Sequence, residues 1–175
     1  KGDEVHNDSP HLQSAVDFVS ALGGGKVIIP PGIYRIEEYV TMKDNIHLEI
    51  QSGAVLKKYN NGVMFSFPSH SKGYNGGVKN VIMDGGGMLH GNFDYANGVI
   101  CHLHHAKNIT VKDLTFYECL TSSHVFDLCG CSDIVFDNCK FYGKKLVENR
   151  RYVEAIQIDY SAYPGLTVKN EQERA

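Results

Sequence analysis

The chain has 175 residues, 21% charged side chains and a formal net charge of -3. This length fits one domain with a sizeable core, and the weak negative charge argues against broad attraction to nucleic acid or to an anionic membrane surface. Apolar runs such as KVIIPPGIY (26–34) are interrupted by proline and glycine, well short of the roughly 18 residues that a membrane span needs.

The first predicted element is an amphipathic helix over residues 9–22. Ser9 is predicted as its N-cap, Pro10 suits the first helical position, and three glycines at 23–25 end it. One apolar face recurs at the helical period: Leu12, Ala15, Val16, Val19 and Leu22. We expect this face to be buried.

After residue 25 the sequence consists of short predicted strands whose starting motif repeats. DNIHLEI, KNVIMDG, KNITVKD and SDIVFDN begin apolar strands after Asn45, Asn80, Asn108 and Asp133, at intervals of 35, 28 and 25 residues. A strand unit of this length buries its apolar face only by stacking on its neighbours, and asparagines at equivalent corners suit a ladder of amide hydrogen bonds. The pattern predicts an all-β fold, a right-handed single-stranded parallel β-helix with an N-terminal capping α-helix.

Several motifs also resemble the pectate lyase superfamily. Gly2-Asp3, the predicted helix, the three glycines and the VIIPPGIY strand motif occur in that order, followed by HLEIQSGAVL at 47–56. MDGGGMLHG at 83–91 is similar to a coil of polygalacturonase-like glycoside hydrolases. The resemblance implies one β-helix domain over residues 1–175, with a cap segment and helix in 1–25 and coils in 26–175 that continue in a longer protein.

Strand alternation separates a core face from an outer face in three segments placed in register, 99–104, 124–129 and 154–159. The predicted core face comprises Val99, Cys101, Leu103, His124, Phe126, Leu128, Glu154, Ile156 and Ile158. The predicted outer face comprises Ile100, His102, His104, Val125, Asp127, Cys129, Ala155, Gln157 and Asp159. The resemblance implies that a saccharide lies along such a polar strip, with His102, His104, Asp127 and Gln157 as substrate-binding candidates.

The catalytic candidates are Glu154 and Asp159. Glu154 stands where polygalacturonase-like enzymes have the first acid of an N-T-D-G-I-D coil, and Gln157 stands where they have another aspartate. Glycoside hydrolysis usually requires two carboxylates, and the D-D and G-H-G motifs that the family adds in later coils are missing from these residues. Because alternation sends Glu154 and Asp159 to opposite faces, we expect an incomplete active site, and solvated surface charges are the plainer interpretation.

Two loops supply further substrate-binding candidates. Arg150 and Arg151 are suited to hold the carboxylate of an acidic sugar, although a solvated basic loop is an equal alternative. In the aromatic-rich insertion 59–77, Tyr74 or Phe67 is suited to stack on a sugar, or else the loop packs its own aromatics. His102-Leu-His104 lacks an assured third ligand, so no metal and no cofactor are expected.

The leading hypothesis is a polysaccharide-processing β-helix, a polygalacturonase-like glycoside hydrolase acting on an acidic, plant or bacterial polysaccharide. A non-catalytic glycan-binding or phage tail-spike module is one alternative, and a polysaccharide lyase or uronate epimerase is another, although scattered acids disfavour a Ca²⁺-dependent lyase. The chain begins with Lys1 rather than Met, and an extracellular or cell-surface location is favoured. Five cysteines, an odd number, predict buried thiols rather than a disulfide framework.

Overall fold

The computed structural model of the chain describes residues 1–69, 76–93, 95, 100–120, 124–145 and 154–159. These residues form one helix and sixteen strands. In chain order they are β1 (Asp3–Asn7), α1 (Ser9–Ala21), β2 (Gly25–Ile29), β3 (Gly32–Ile36), β4 (Val40–Thr41), β5 (Ile46–Ile50), β6 (Ala54–Lys58), β7 (Phe65–Phe67), β8 (Lys79–Asp84), β9 (Met88–His90), β10 (Cys101–His104), β11 (Lys107–Lys112), β12 (Thr115–Leu120), β13 (Phe126–Cys129), β14 (Ser132–Asp137), β15 (Lys140–Lys144) and β16 (Ile156–Asp159).

The strands form three parallel sheets that run along the molecule. Sheet A has the order β1-β3-β6-β9-β12-β15, sheet B the order β2-β5-β8-β11-β14, and sheet C the order β4-β7-β10-β13-β16. Each successive coil contributes one strand to sheet B, one to sheet A and one to sheet C, beginning with β2, β3 and β4. A chain that returns to each sheet once per coil forms a β-helix, so the predicted fold class is confirmed.

The repeated asparagines stack at one corner of the coils, as predicted. Asn45, Asn80, Asn108 and Asp133 all have left-handed backbone conformations, with φ between 56° and 61°. The side-chain amide of Asn80 donates to Oδ1 of Asn45 at 2.8 Å, and that of Asn108 donates to Oδ1 of Asn80 at 2.9 Å. Asparagine tolerates a left-handed backbone well, so the same residue fits the turn and supplies the side-chain amide of the ladder.

Helix α1 covers the interior of the first coil. Val16 is fully buried and Leu12 is 7% exposed, while Ala15 and Val19 are partly buried against the core. Leu22, predicted on this face, is instead 71% exposed because the helix ends at Ala21 and the helical period no longer applies. No helix in the described part of the chain is long and apolar enough to cross a membrane.

The helix N-terminus differs from the prediction by one residue. Asp8, rather than Ser9, is the N-cap, and its backbone carbonyl accepts a hydrogen bond from the Leu12 amide at 3.0 Å. The Ser9 hydroxyl is buried and accepts hydrogen bonds from the amides of Glu37 and Glu38 at 2.9 and 3.0 Å. Ser9 therefore joins the cap to the first coil.

The core consists of inward side chains stacked from coil to coil. Phe116 and Phe141, in adjacent strands of sheet A, stack with ring centroids 4.9 Å apart. Ile100 and Val125, predicted on the outer face, are fully buried because both lie in bends before β10 and β13, where strand alternation does not apply. Ile158, predicted in the core, is 78% exposed in β16, the last described strand of sheet C.

All five cysteines lie in the described part of the chain and are free thiols. Cys101 and Cys119 are buried, whereas Cys129, Cys131 and Cys139 are partly exposed. Burial raises the pKa of Cys119 to about 12 and that of Cys131 to about 11. Since the thiolate is the reactive form, these two side chains behave as small apolar groups at neutral pH.

Candidate functional site

The outer face of sheet C carries the predicted polar strip. The register pairs His102 with Asp127 and Asp127 with Gln157, and continues from His102 to Ser66 in the opposite direction. A second column of the strip contains His104, Cys129 and Asp159. Adjacent rungs of a sheet lie about 4.8 Å apart, so the structure brings together the strip residues that the sequence placed in register.

Side chains of the strip contact one another along the sheet. His102 Nε2 lies 3.6 Å from Asp127 Oδ2, and the two side chains are 39% and 35% exposed. The rings of His102 and His104 meet edge to face with centroids 5.8 Å apart. The Gln157 amide donates to Asp159 Oδ2 at 2.7 Å. Imidazole, carboxylate and amide groups together offer the donors and acceptors that hydroxyl groups require.

The two candidate acids, Glu154 and Asp159, have different side-chain neighbours. Glu154 is 55% exposed, and its carboxylate lies 3.0 Å from Nδ1 of His124. Both residues were predicted on the core face, but each precedes its strand, so alternation does not determine its direction. Asp159 is the last residue of β16, and its carboxylate instead accepts a hydrogen bond from the Gln157 side-chain amide at 2.7 Å.

The remaining predicted contacts lie in or next to the loops. Tyr74, Arg150 and Arg151 are outside the described residues. Phe67, considered as a sugar-stacking residue, is 1% exposed because it belongs to β7, whose alternate residues point into the core. Phe67 is therefore a core residue.

A cluster on sheet B brings possible metal ligands together. One ligand atom from each of His47, Glu49 and Asp84 lies within 4.8 Å of the others. His47 Nε2 already lies 2.8 Å from Asp84, and Lys26 is 2.6 Å from Glu49. The bond from Lys26 lowers the pKa of Glu49, and its positive charge opposes a second cation. The cluster consists of the Lys26–Glu49 ion pair and the His47–Asp84 hydrogen bond across neighbouring strands.

Comparison with known proteins defines the fold. No protein-family model matches the chain. The plasmin and fibronectin-binding protein A of Streptococcus pneumoniae is 26% identical over 90% of this chain, which spans 26% of that protein. The structure of the S. pneumoniae surface adhesin PfbA has a TM-score of 0.73 at 24% identity, covering 89% of this chain and 43% of that one. The chain is a right-handed parallel β-helix.

Two further structures share this β-helix fold. The tailspike protein of E. coli bacteriophage HK620, solved with a pentasaccharide, has a TM-score of 0.72 at 16% identity and covers 91% of this chain and 31% of its own. A candidate glycosyl hydrolase from Parabacteroides merdae has a TM-score of 0.62 at 16% identity and covers 92% of this chain and 90% of its own. At these identities the likeness establishes the fold alone.

The β-helix has a second distinctive surface, which the sequence reasoning missed. On the outer face of sheet A, the register aligns Lys57, His90, Tyr117 and Tyr142 in successive strands. A detectable signal was the Phe-Tyr pair at 116–117, repeated one coil later at 141–142. Because the two phenylalanines stack inside, alternation requires the following tyrosines to point outwards.

Proposed function

We propose that the chain belongs to a polysaccharide-binding or polysaccharide-processing β-helix protein that holds a glycan along the outer face of sheet C. The polar strip is the observation that carries this proposal, because His102, Asp127 and Gln157 form a continuous, half-buried column. Half-buried polar groups that already contact one another are held in place, which reduces the entropy lost when a ligand binds.

A groove at the N-terminal end of sheet C supports the proposal. Thr41 pairs with Ser66 and so continues the column of the strip towards the cap helix. Beside Thr41 lies a groove of about 600 Å³, a volume typical of ligand sites, in which Tyr39 is 59% exposed. Gln13 of α1 fixes this end by accepting a hydrogen bond from the Thr41 amide at 2.7 Å. The strip thus leads into a concave region with an aromatic side chain.

The finer proposal is that the full protein is a polygalacturonase-like glycoside hydrolase, with an acidic sugar bound by Arg150 and Arg151. The different partners of the two acids, His124 for Glu154 and Gln157 for Asp159, support an incomplete active site in this chain. Hydrolysis would then need a second carboxylate from a further coil next to β16. The chain alone is therefore expected to bind an oligosaccharide without appreciable turnover.

Replacing Asp159 by alanine is expected to weaken oligosaccharide binding about tenfold, since a hydrogen bond to a charged group contributes about 1.5 kcal/mol or more. Isothermal titration calorimetry with oligogalacturonates and with a neutral oligosaccharide would measure the loss. Asp84→Ala on sheet B is the matched control and should leave affinity unchanged. Equal affinities of the Asp159 variant and the original chain would contradict the proposed strip, and robust hydrolysis abolished by Glu154→Gln would contradict the incomplete site.

Protein adhesion is a second candidate function, favoured by the match to the plasmin and fibronectin-binding protein over 90% of this chain. We expect the two functions to separate in a surface plasmon resonance experiment with immobilised plasmin, fibronectin and oligosaccharide. Binding to either protein with no response to any saccharide would favour adhesion over the glycan proposal.

A further inference from the structure

We propose that the outer face of sheet A carries a second saccharide-binding site, separate from the sheet C strip, that takes a neutral sugar ring. A depression of about 310 Å³ lies on this face and is lined by residues of five sheet A strands, β1, β3, β6, β9 and β12. The volume falls at the small end of the range for ligand sites. This inference does not depend on the function proposed for sheet C.

The floor of the depression is apolar. Ile33, Val55 and Met88 are register partners on β3, β6 and β9, so their side chains form an outward column three rungs long. Ile33 is 39% exposed, and Val55 and Met88 are partly exposed. A contiguous apolar column on an outer face suits the C–H face of a sugar ring.

Tyr117 and His90 form one wall. Tyr117 is 38% exposed, and the His90 ring meets its ring edge to face at 5.1 Å. This contact limits the rotamers of both rings, and a tyrosine offers an apolar ring together with a polar hydroxyl. The wall therefore provides a stacking partner whose position is set before a ligand arrives.

Glu4 forms the opposite polar side. Its carboxylate is ion-paired with Lys57 and accepts a hydrogen bond from the Tyr59 hydroxyl at 2.9 Å; the contact with Lys57 is the principal cause of the lowered pKa of Glu4. Glu4 has a left-handed backbone with φ 60°, a conformation that costs a non-glycine residue about 1 kcal/mol or more. Such conformations persist where surrounding contacts hold them, and here the ion pair with Lys57 and the hydrogen bond from Tyr59 hold Glu4.

Tyr59 is itself held in place by its neighbours. The Arg35 guanidinium lies 4.0 Å from the centroid of the Tyr59 ring, and the Tyr95 ring lies 5.0 Å away on a tilted plane. These contacts fix the hydroxyl that binds Glu4. The polar side is therefore supported by a second layer of side chains, which is the arrangement expected of a preorganised site.

His90 supplies a hydrogen-bond donor. The backbone N–H of Asn92 donates to His90 Nδ1 at 3.0 Å, which places the ring proton on Nε2 in the neutral imidazole. Burial lowers the pKa of His90, so the neutral form predominates at pH 7. The Glu118 carboxylate lies 3.9 Å from Nε2, which is beyond hydrogen-bond distance. The Nε2 proton of His90 can therefore be donated to a ligand hydroxyl.

The charge balance points to a neutral ligand. Glu4 and Lys57 neutralise each other, so an anion would meet the carboxylate and a cation would meet the ammonium group. A sugar ring combines an apolar face with hydroxyls that both donate and accept, which matches this floor and these polar groups. A peptide adding as a strand would need a free sheet edge, whereas β6 and β9 already pair on both sides.

Methyl NMR of the full chain labelled with [¹³C-methyl]methionine tests the site directly. Met88 lies in the depression, whereas Met42, Met64 and Met83 are fully buried in the core and serve as internal controls. We expect titration with cellopentaose, maltopentaose, xylopentaose or chitopentaose to shift the Met88 signal selectively. Tyr117→Ala removes a stacking contact and a hydroxyl contact, so the affinity measured from the Met88 shift should fall about tenfold.

Three further variants test whether the Met88 response reports on this depression. Glu4→Gln keeps the side-chain volume and should lower the affinity measured from the Met88 shift. It tests the site even if Tyr117→Ala fails to fold. Ile82→Ala, on the outer face of sheet B, removes a side chain that is 41% exposed and should leave the titration unchanged. Asp159→Ala should also leave Met88 unaffected, so failure of the sheet C proposal is distinguishable from failure of this one.

Three outcomes would overturn the inference. The first is a Met88 signal that none of the four neutral oligosaccharides shifts. The second is a Met88 titration that gives the same affinity in the original chain and in its Tyr117→Ala and Glu4→Gln variants. The third is a Met88 response confined to oligogalacturonates, which would mean that the site takes an acidic sugar.

Discussion

Replacing Lys58 by methionine is expected to raise the free energy of unfolding by up to about 3 kcal/mol at pH 7. Lys58 is 1% exposed on the inward side of β6, and burial lowers its pKa from 10.5 to about 8. At about 1.4 kcal/mol per pKa unit, keeping this ammonium group charged inside the folded chain costs roughly 3 kcal/mol. Methionine keeps the length of the side chain and removes the charge.

The effect of Lys58 should depend on pH in a defined window. Between pH values of about 8 and 10.5, Lys58 keeps its proton in the unfolded chain and has lost it in the folded chain. Its contribution to stability therefore rises with pH across this window and is lowest below pH 8. Burial raises the pKa of Cys119 to about 12, and this thiol acts in the opposite direction at high pH. The difference in the free energy of unfolding between the original chain and Lys58→Met therefore isolates the contribution of Lys58.

Urea unfolding followed by circular dichroism at several pH values measures this difference. Lys57→Met is the matched control because Lys57 is the preceding residue, points outwards and pairs with Glu4. It should give no stabilisation. A Lys58→Met chain that is less stable than the original at pH 7, or a difference that does not shrink between pH 8 and 10.5, would contradict the assignment.

The second large effect is expected at the cap. Val16→Asp should cost roughly 4 kcal/mol or more, because Val16 is fully buried on the inner face of α1 and a carboxylate there would lose its hydration. Phe18→Asp is the matched control, since Phe18 is 67% exposed on the other side of the same helix. Thermal unfolding and size-exclusion chromatography should show destabilisation and aggregation for Val16→Asp alone.

Deleting residues 1–22 extends the cap test. The deletion removes α1 and β1 together, which exposes the interior of the first coil and the edge of β3. Unpaired strand edges and exposed apolar core promote aggregation. A truncated chain that stayed soluble with an unchanged melting temperature would show that the cap is dispensable.

The coil register was predictable from sequence because side-chain direction within a strand has a period of two. His102, Asp127 and Gln157 therefore align once the apolar pattern of their strands is placed in register. The same rule misassigned Ile100 and Val125, which are bend residues with no such period. Alternation identifies neighbours inside strands and gives no direction for the residue that precedes one.

The sheet A depression was harder to predict because its parts come from distant coils and from the N-terminal segment. Glu4 and Lys57 are 53 positions apart, and nothing in the sequence around Glu4 indicates its left-handed backbone. The helix start at Asp8 was missed for a similar reason. Ser9 has the residue type of an N-cap, but its hydroxyl bonds to Glu37 and Glu38, which a local pattern does not reveal.

The coil arrangement also constrains how the molecule changes over evolution. Each coil advances the fold by about 4.8 Å, so distance along the axis increases in whole coils. Because every coil supplies one strand to each sheet, duplication of a coil lengthens the outer faces of sheets A, B and C together. A lineage selected for a longer surface on sheet C would acquire an equally longer surface on sheet A, whether or not anything binds there.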